Sequence, residues 1–158
     1  MSGIAIRSTS PEETKAIAKS LGQRLKGGEV FALKGDLGAG KTCFVQGLAE
    51  GLEVPDDVYV RSPTFALMDS YPGRLNIFHL DIYRLADIDE LEAIGWRDCM
   101  DKGTIVAIEW AERIDGYLPD DRIEVRFEHH DDDSRTLSFH AMSDSLKWVE
   151  SWAQEYTS

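Results

Sequence analysis

The chain has 158 residues, 42% hydrophobic and 29% charged, which places it among ordinary globular domains and excludes a disordered, solvating chain. Its 17 lysines and arginines face 29 aspartates and glutamates, a formal net charge of −12, and this excludes the broad basic footprint that holds a nucleic-acid backbone. No apolar run approaches the length of a membrane span, the opening MSGIAIRSTSPEET lacks an apolar core of a signal peptide, and Cys43 and Cys99 make no disulfide framework, so the expectation is one domain in a reducing cytoplasm.

The first strong element opens at Ser10. Ser10-Pro11-Glu12-Glu13 reads as a capping box with proline at the first helical position. Ile17, Leu21 and Leu25 then recur every fourth residue, and Gly27-Gly28 is the expected stop. Glu29 to Lys34 (EVFALK) reads as a short buried strand. A glycine-rich loop follows, and a second helix opens near Lys41 with Phe44, Val45, Leu48 and Leu52 on its apolar face.

From Val58 onward the pattern is strand-like. Phe65 to Tyr71 and Leu75 to Ile82 flank the turn Tyr71-Pro72-Gly73-Arg74, a predicted hairpin. Asp87 to Met100 is predicted helical, broken near Gly95. Thr104 to Glu109 (TIVAIE) is the continuous apolar run of a central strand. Ile123, Val125 and Phe127 alternate with polar residues, as do Leu137, Phe139 and Ala141 beyond HHDDDS, which predicts an antiparallel hairpin. Residues 143–158 read as a C-terminal helix with Trp148 and Trp152 four apart.

The chemistry concentrates in Gly35-Asp36-Leu37-Gly38-Ala39-Gly40-Lys41-Thr42. It fits G-x-x-x-x-G-K-[ST], and it lies between a strand and a helix. Glycines let backbone N–H groups turn inward around phosphate oxygens, and the following helix adds unpaired N–H groups and a dipole that favours anions. Lys41 is placed to reach the β- and γ-phosphates, and the Thr42 hydroxyl to ligate Mg²⁺. Such a site takes a carboxylate from the end of a nearby strand; Glu109 ends TIVAIE and fills that place. Asp81, in the apolar pattern HLDIYRL, either serves the metal through water, orients an attacking water, or pairs with Arg84. His79 shares its strand face and reads as a satisfied structural histidine rather than a ligand. Ser62 and Thr64 of Ser62-Pro63-Thr64-Phe65 form a hydroxyl pair that either senses the γ-phosphate or caps a turn.

An anion trap inside an acidic chain is not a contradiction, because salt screens charges over about 8 Å. The acidic excess is densest from Asp115 to Arg135, with eight acids against three arginines. That stretch is a solvated surface or a patch that steers a basic partner.

GDLGAGKT, SPTF, HLDIYRL and IEWAE, in that order, resemble the bacterial tRNA threonylcarbamoyladenosine biosynthesis ATPases of the TsaE (YjeE) family, from the first capped helix to the Arg135 hairpin. The resemblance implies an α/β, P-loop NTPase-like fold: a single three-layer domain, residues 1–158, with a mixed parallel and antiparallel sheet and a variable C-terminal helix over 143–158. It implies a weak Mg²⁺-dependent ATPase that acts with a threonylcarbamoyl transferase subunit and its catalytically inactive paralogue in t6A37 modification of tRNA, the partners holding the RNA. Carried onto this chain, Lys41 and Thr42 match the phosphate and magnesium residues. Glu109 matches the magnesium glutamate, Asp81 an acid needed for hydrolysis, Thr64 a switch-like threonine, and Arg135 an arginine near the nucleotide. Two positions depart from the family pattern: Cys43 stands where a second threonine is common, and Ala66 where a hydroxyl residue is common. The Cys43 backbone N–H remains available to the α-phosphate.

Other readings are a non-catalytic, nucleotide-dependent assembly switch and a small-molecule kinase. Against the kinase, the chain has no arginine-rich lid after the glycine loop. Against a GTPase, it has no N-K-x-D segment for reading guanine.

Overall fold

A computed structural model describes residues 3–36, 40–63 and 67–157. Seven strands form one sheet: β1 (Ile4–Ser8), β2 (Val30–Gly35), β3 (Met68–Tyr71), β4 (Asn76–Asp81), β5 (Thr104–Glu109), β6 (Ile123–His129) and β7 (Arg135–Ala141). Their order is β1-β7-β6-β2-β5-β4-β3. The four inner strands β6, β2, β5 and β4 run parallel, and antiparallel partners finish both edges. β5 lies between two parallel neighbours, and all six of its residues are buried, which is why TIVAIE carries no polar alternation until its last residue.

Helices α1 (Pro11–Gly22), α2 (Lys41–Gly51) and α4 (Trp148–Thr157) supply one covering layer, and α3 (Ile88–Ala93) with the 3-10 segments Trp96–Cys99 and Ala111–Tyr117 supplies the other. The two faces of the sheet accordingly hold separate apolar cores. Phe31, Phe44, Leu48, Ile77 and Phe139 belong to the first, and Ala32, Leu80, Trp96 and Ile108 to the second. This is a three-layer α/β domain with a mixed sheet, as expected. The anticipated face of α2 is confirmed: Phe44, Val45, Leu48 and Leu52 are all fully buried. α1 and α2 touch backbone to backbone, because a Cβ at Gly47 would lie 2.4 Å from the Lys15 carbonyl oxygen. Any larger residue there would push α2, and the site at its N-terminus, off the sheet.

Several boundaries differ from the sequence expectation. α1 stops at Gly22, five residues before Gly27. Arg74, from the distant β3–β4 turn, donates to the carbonyls of Gly22 and Leu25 at 2.8 and 2.9 Å. It thereby satisfies the helix C-terminus in a way that local sequence does not reveal. The capping box is also shifted. Ser10 accepts from the Glu13 N–H at 3.0 Å, but the Glu13 carboxylate reaches Thr9 N–H rather than that of Ser10. β1 was not foreseen; it is a short edge strand whose partner, β7, lies more than a hundred residues away. The helical stretch after Asp87 breaks at Gly95, which adopts φ 70°, and continues as 3-10 turn. The C-terminal helix begins at Trp148, after a 3-10 turn at Asp144–Leu146. Trp152 packs edge-on against Phe139 and donates to Ser20 at 3.1 Å. Among the described residues no helix is long and apolar enough to cross a membrane.

A buried ion network ties β2 to the segment after β5. Lys34, 3% exposed, donates to Asp115 and to Glu124, and Arg122 also reaches Glu124. Burial resists ionisation of Glu124, but hydrogen bonds from Lys34 and Arg122 outweigh it and hold the carboxyl below its ordinary value. Such a group stabilises the fold above the ordinary glutamate pKa of 4.5 and loses that contribution as pH falls through the lowered folded value. Glu124→Gln should therefore cost about 2 kcal/mol at pH 7. The gap from wild type should close progressively below pH ~4, as urea unfolding at the two pH values would show.

Candidate phosphate-binding site

The site gathers at the carboxyl ends of β2, β5 and β4, the edge where open α/β sheets bind ligands. Gly35 ends β2, Glu109 ends β5 and Asp81 ends β4, with Asp81 directly opposite Glu109 in the parallel register. Gly35 adopts φ 140°, and a Cβ there would sit 2.2 Å from the Phe127 carbonyl oxygen. Only glycine lets the chain leave β2 at this point. Residues 37–39 of the loop, and Thr64, Phe65 and Ala66 of the SPTF segment, lie outside the described residues. The expectations for Leu37, Gly38, Ala39 and Thr64 therefore have no structural counterpart here.

α2 opens on Gly40, in the left-handed region, with no side-chain cap. Its first-turn N–H groups thus lack intrahelical partners and point toward the cleft end of the helix. That cleft, about 350 Å³, is bordered by Gly40, Lys41, Thr42, Cys43, Ser62, Asp81, Tyr83, Glu109, Trp110 and Arg135. Every described residue expected at the site is therefore in it, apart from Gly35 and Asp36, whose carbonyl oxygens accept from Lys41 at 2.8 and 2.9 Å.

Lys41 is 4% exposed. Its ammonium satisfies two donors on those carbonyls and lies 3.8 Å from the centroid of the Trp110 ring. Burial pushes its pKa down, against the charges of Glu112, Glu109, Asp36 and Asp81. Thr42 Oγ1 stands 3.1 and 3.0 Å from the two Glu109 oxygens and 2.7 Å from Ser62 Oγ. A carboxylate only accepts, so the single Thr42 proton goes to Glu109, and the Ser62 hydroxyl is free to donate to Thr42. Glu109 is 3% exposed, and it receives a further contact from His79 Nε2 at 2.6 Å.

Asp81 accepts the Tyr83 N–H at 3.0 Å. No ion pair joins it to Arg84 among the described residues. Burial raises its pKa most, the Tyr83 N–H opposes that, and the Glu109 charge adds to it. Arg135 packs its Cδ and Nε against Gly40, and its buried Nε has no hydrogen-bond partner among the described residues. Cys43 is a half-buried free thiol.

Among the described residues no group of three or more His, Cys, Asp or Glu side chains could hold a metal ion. Mg²⁺ does not need one, since it keeps several waters and takes one or two protein oxygens beside substrate phosphates. A threonine hydroxyl already hydrogen-bonded to a buried carboxylate is a donor set of that kind.

Two participants escaped the sequence reading, and a third was placed there without its partner. Trp110, in the left-handed region at φ 64°, turns its ring back onto Lys41 and packs on Tyr83, with centroids 4.8 Å apart. Glu112 accepts the Gly35 N–H at 3.2 Å. His79 is the satisfied buried histidine expected, and the partner that satisfies it is Glu109. In NIFHLD, residues 77, 79 and 81 share the face toward α2, so a histidine at a buried apolar position two residues before an acid was the available signal.

The fold and this cleft define an α/β domain of P-loop NTPase-like architecture. The sequence model of the threonylcarbamoyl adenosine biosynthesis protein TsaE matches residues 8–137, and the chain belongs to that family. The tRNA threonylcarbamoyladenosine biosynthesis protein TsaE of Bacillus subtilis is 39% identical over 144 residues, 90% of this chain and 89% of its own. Its counterpart in Treponema pallidum is 37% identical over 131 residues, 83% and 96% of the two chains. The crystal structure of Bacillus subtilis YdiB superposes with a TM-score of 0.78 at 34% identity, covering 98% of this chain and 95% of that one.

Proposed function

We infer that this chain is the ATP-binding and hydrolysing subunit of a tRNA N6-threonylcarbamoyladenosine modification system, acting in the cytoplasm. The observation that carries this reading is the Thr42–Glu109 hydrogen bond, made beside a buried lysine and Asp81 at one sheet edge. The names of its relatives as tRNA threonylcarbamoyladenosine biosynthesis proteins supply the pathway. In this account the α2 N–H groups and Lys41 hold the triphosphate, and Arg135 offers its Nε, unpartnered among the described residues, to a phosphate oxygen. Thr42 and Glu109 would hold Mg²⁺, which neutralises phosphate charge when bound. Asp81, its basicity raised by burial, orients the attacking water. To accept phosphate, Lys41 exchanges loop carbonyls for anionic oxygens, a stronger partner for an ammonium. The macromolecular partners are the threonylcarbamoyl transferase subunit and its inactive paralogue. The net charge of −12 supports RNA contact through them rather than through this chain.

Hydrolysis of ATP with and without the transferase pair and tRNA tests this reading. Asp81→Ala should lower turnover at least about tenfold while nucleotide affinity stays within about threefold of wild type, since Asp81 acts on water rather than on phosphate. Equal losses in turnover and affinity would contradict that division of labour. Partner capture that requires ATP but proceeds with no turnover would instead favour an assembly switch.

A further inference from the structure

His79 is fully buried in β4, yet it stands among the apolar residues Ile77, Ile105 and Ala107 that face α1 and α2. A polar ring there costs free energy unless its nitrogens are satisfied. Its Nε2 lies 2.6 Å from Glu109 Oε2, and its Nδ1 lies 3.4 Å from the Tyr71 hydroxyl on the neighbouring strand. Tyr71 Oη in turn donates to the Arg61 carbonyl at 3.1 Å.

Counting protons sets the roles. Glu109 is an acceptor, so His79 Nε2 carries a hydrogen. Tyr71 has one hydroxyl proton, and Arg61 O is its nearer acceptor. With Nε2 protonated, Nδ1 is an acceptor, so Tyr71 anchors the ring by turning its proton from the Arg61 carbonyl to Nδ1, while Nε2–H is directed at the carboxylate. The same oxygen, Glu109 Oε2, also accepts from Thr42 and stands 3.3 Å from Ser62 Oγ.

We propose that His79 is a positioning residue for Glu109: its Nε2–H fixes the carboxylate against Thr42, and Tyr71 fixes the imidazole. A chain of hydrogen bonds, Tyr71–His79–Glu109–Thr42, then ties the neighbouring strand to the magnesium-binding pair. This rests on the Mg²⁺·ATP reading of the site. Outer partners of this kind orient ligands and govern metal affinity.

The test has two arms. In nucleotide-free wild type, ¹⁵N spectra of the imidazoles should show His79 protonated at Nε2, with that resonance displaced in Glu109→Gln. An Nε2 without a proton overturns the proposal. In the second arm, calorimetry follows ATP binding across Mg²⁺ concentrations. His79→Leu should raise the Mg²⁺ needed for half-saturation about tenfold, while ATP binding in EDTA is unchanged. His79→Gln, whose amide N–H can replace Nε2–H, should recover most of the loss. A purely structural histidine would lower the thermal midpoint without moving the Mg²⁺ requirement, and that result overturns the proposal. Tyr71→Phe, which removes only the hydroxyl, carries the same test if His79→Leu does not fold, and should move the requirement in the same direction. Wild type that binds ATP with no Mg²⁺ dependence would overturn the reading of the site itself. A Mg²⁺-dependent wild type with an unmoved His79→Leu overturns only the role of His79.

Discussion

Glu109→Gln lowers ATP hydrolysis at least tenfold while the protein stays folded; that loss corresponds to about 1.4 kcal/mol or more in the activation barrier. The substitution keeps the shape of the side chain and removes its charge. Glu109 accepts from Thr42 and His79, and a glutamine has only one oxygen to serve both. Its NH₂ group must face a donor, either the Thr42 hydroxyl or His79 Nε2–H, so one of them has to rotate or lose its partner. The pull of a buried carboxylate on a dication is lost as well. Stability should change little, because the variant also removes a buried charge. Steady-state hydrolysis with partners present, paired with thermal unfolding, checks both halves. A wild-type rate in a folded Glu109→Gln protein would remove Glu109 from the metal site.

Lys41→Ala weakens ATP binding and lowers turnover, each at least tenfold. The ammonium is held between the Gly35 and Asp36 carbonyls and the Trp110 ring, so it is preorganised beside the loop rather than waving in solvent. Its lowered pKa reflects burial that outweighs the nearby carboxylates, and a bound triphosphate would add anionic oxygens in direct contact. Alanine leaves the helix N–H groups as the main attraction, and a helix terminus contributes less than a desolvated ammonium on phosphate. Calorimetry on a variant with an unchanged thermal midpoint separates this loss from misfolding. Binding within twofold of wild type would contradict the assignment.

Those two residues were the most legible part of the chain. The glycine loop, Lys41 and Thr42 are contiguous, and Glu109 announces itself as an acid closing a continuous apolar strand. Their meeting needed only the rule that parallel strands open ligand sites at their carboxyl ends. The strands of the two hairpins were equally readable, because alternation and the intervening turns are local.

What escaped is non-local. The end of α1 is set by Arg74, about fifty positions away, and β1 forms only because β7 is there to pair with it. Trp110 reaches Lys41 through a positive φ that no hydrophobic pattern encodes. His79 looked like a core residue because it is one by burial. Its second property, the contact with Glu109, depends on the β4–β5 register, which places residues 79 and 109 on one face of adjacent strands. The acidic stretch from Asp115 to Arg135 divides in the same way. Asp115 and Glu124 neutralise buried Lys34, whereas Asp132 is exposed and pairs with Arg7.

The central claim is that helix N–H groups, Lys41 and a Thr42–Glu109 magnesium pair converge on one triphosphate. Calorimetric titration of the nucleotide-free protein with ATP, with and without Mg²⁺, tests it most directly. The account predicts saturable one-site heat with Mg²⁺, weakened in EDTA and at least tenfold weaker in Lys41→Ala. No saturable heat from the folded wild-type protein at any Mg²⁺·ATP concentration would contradict it.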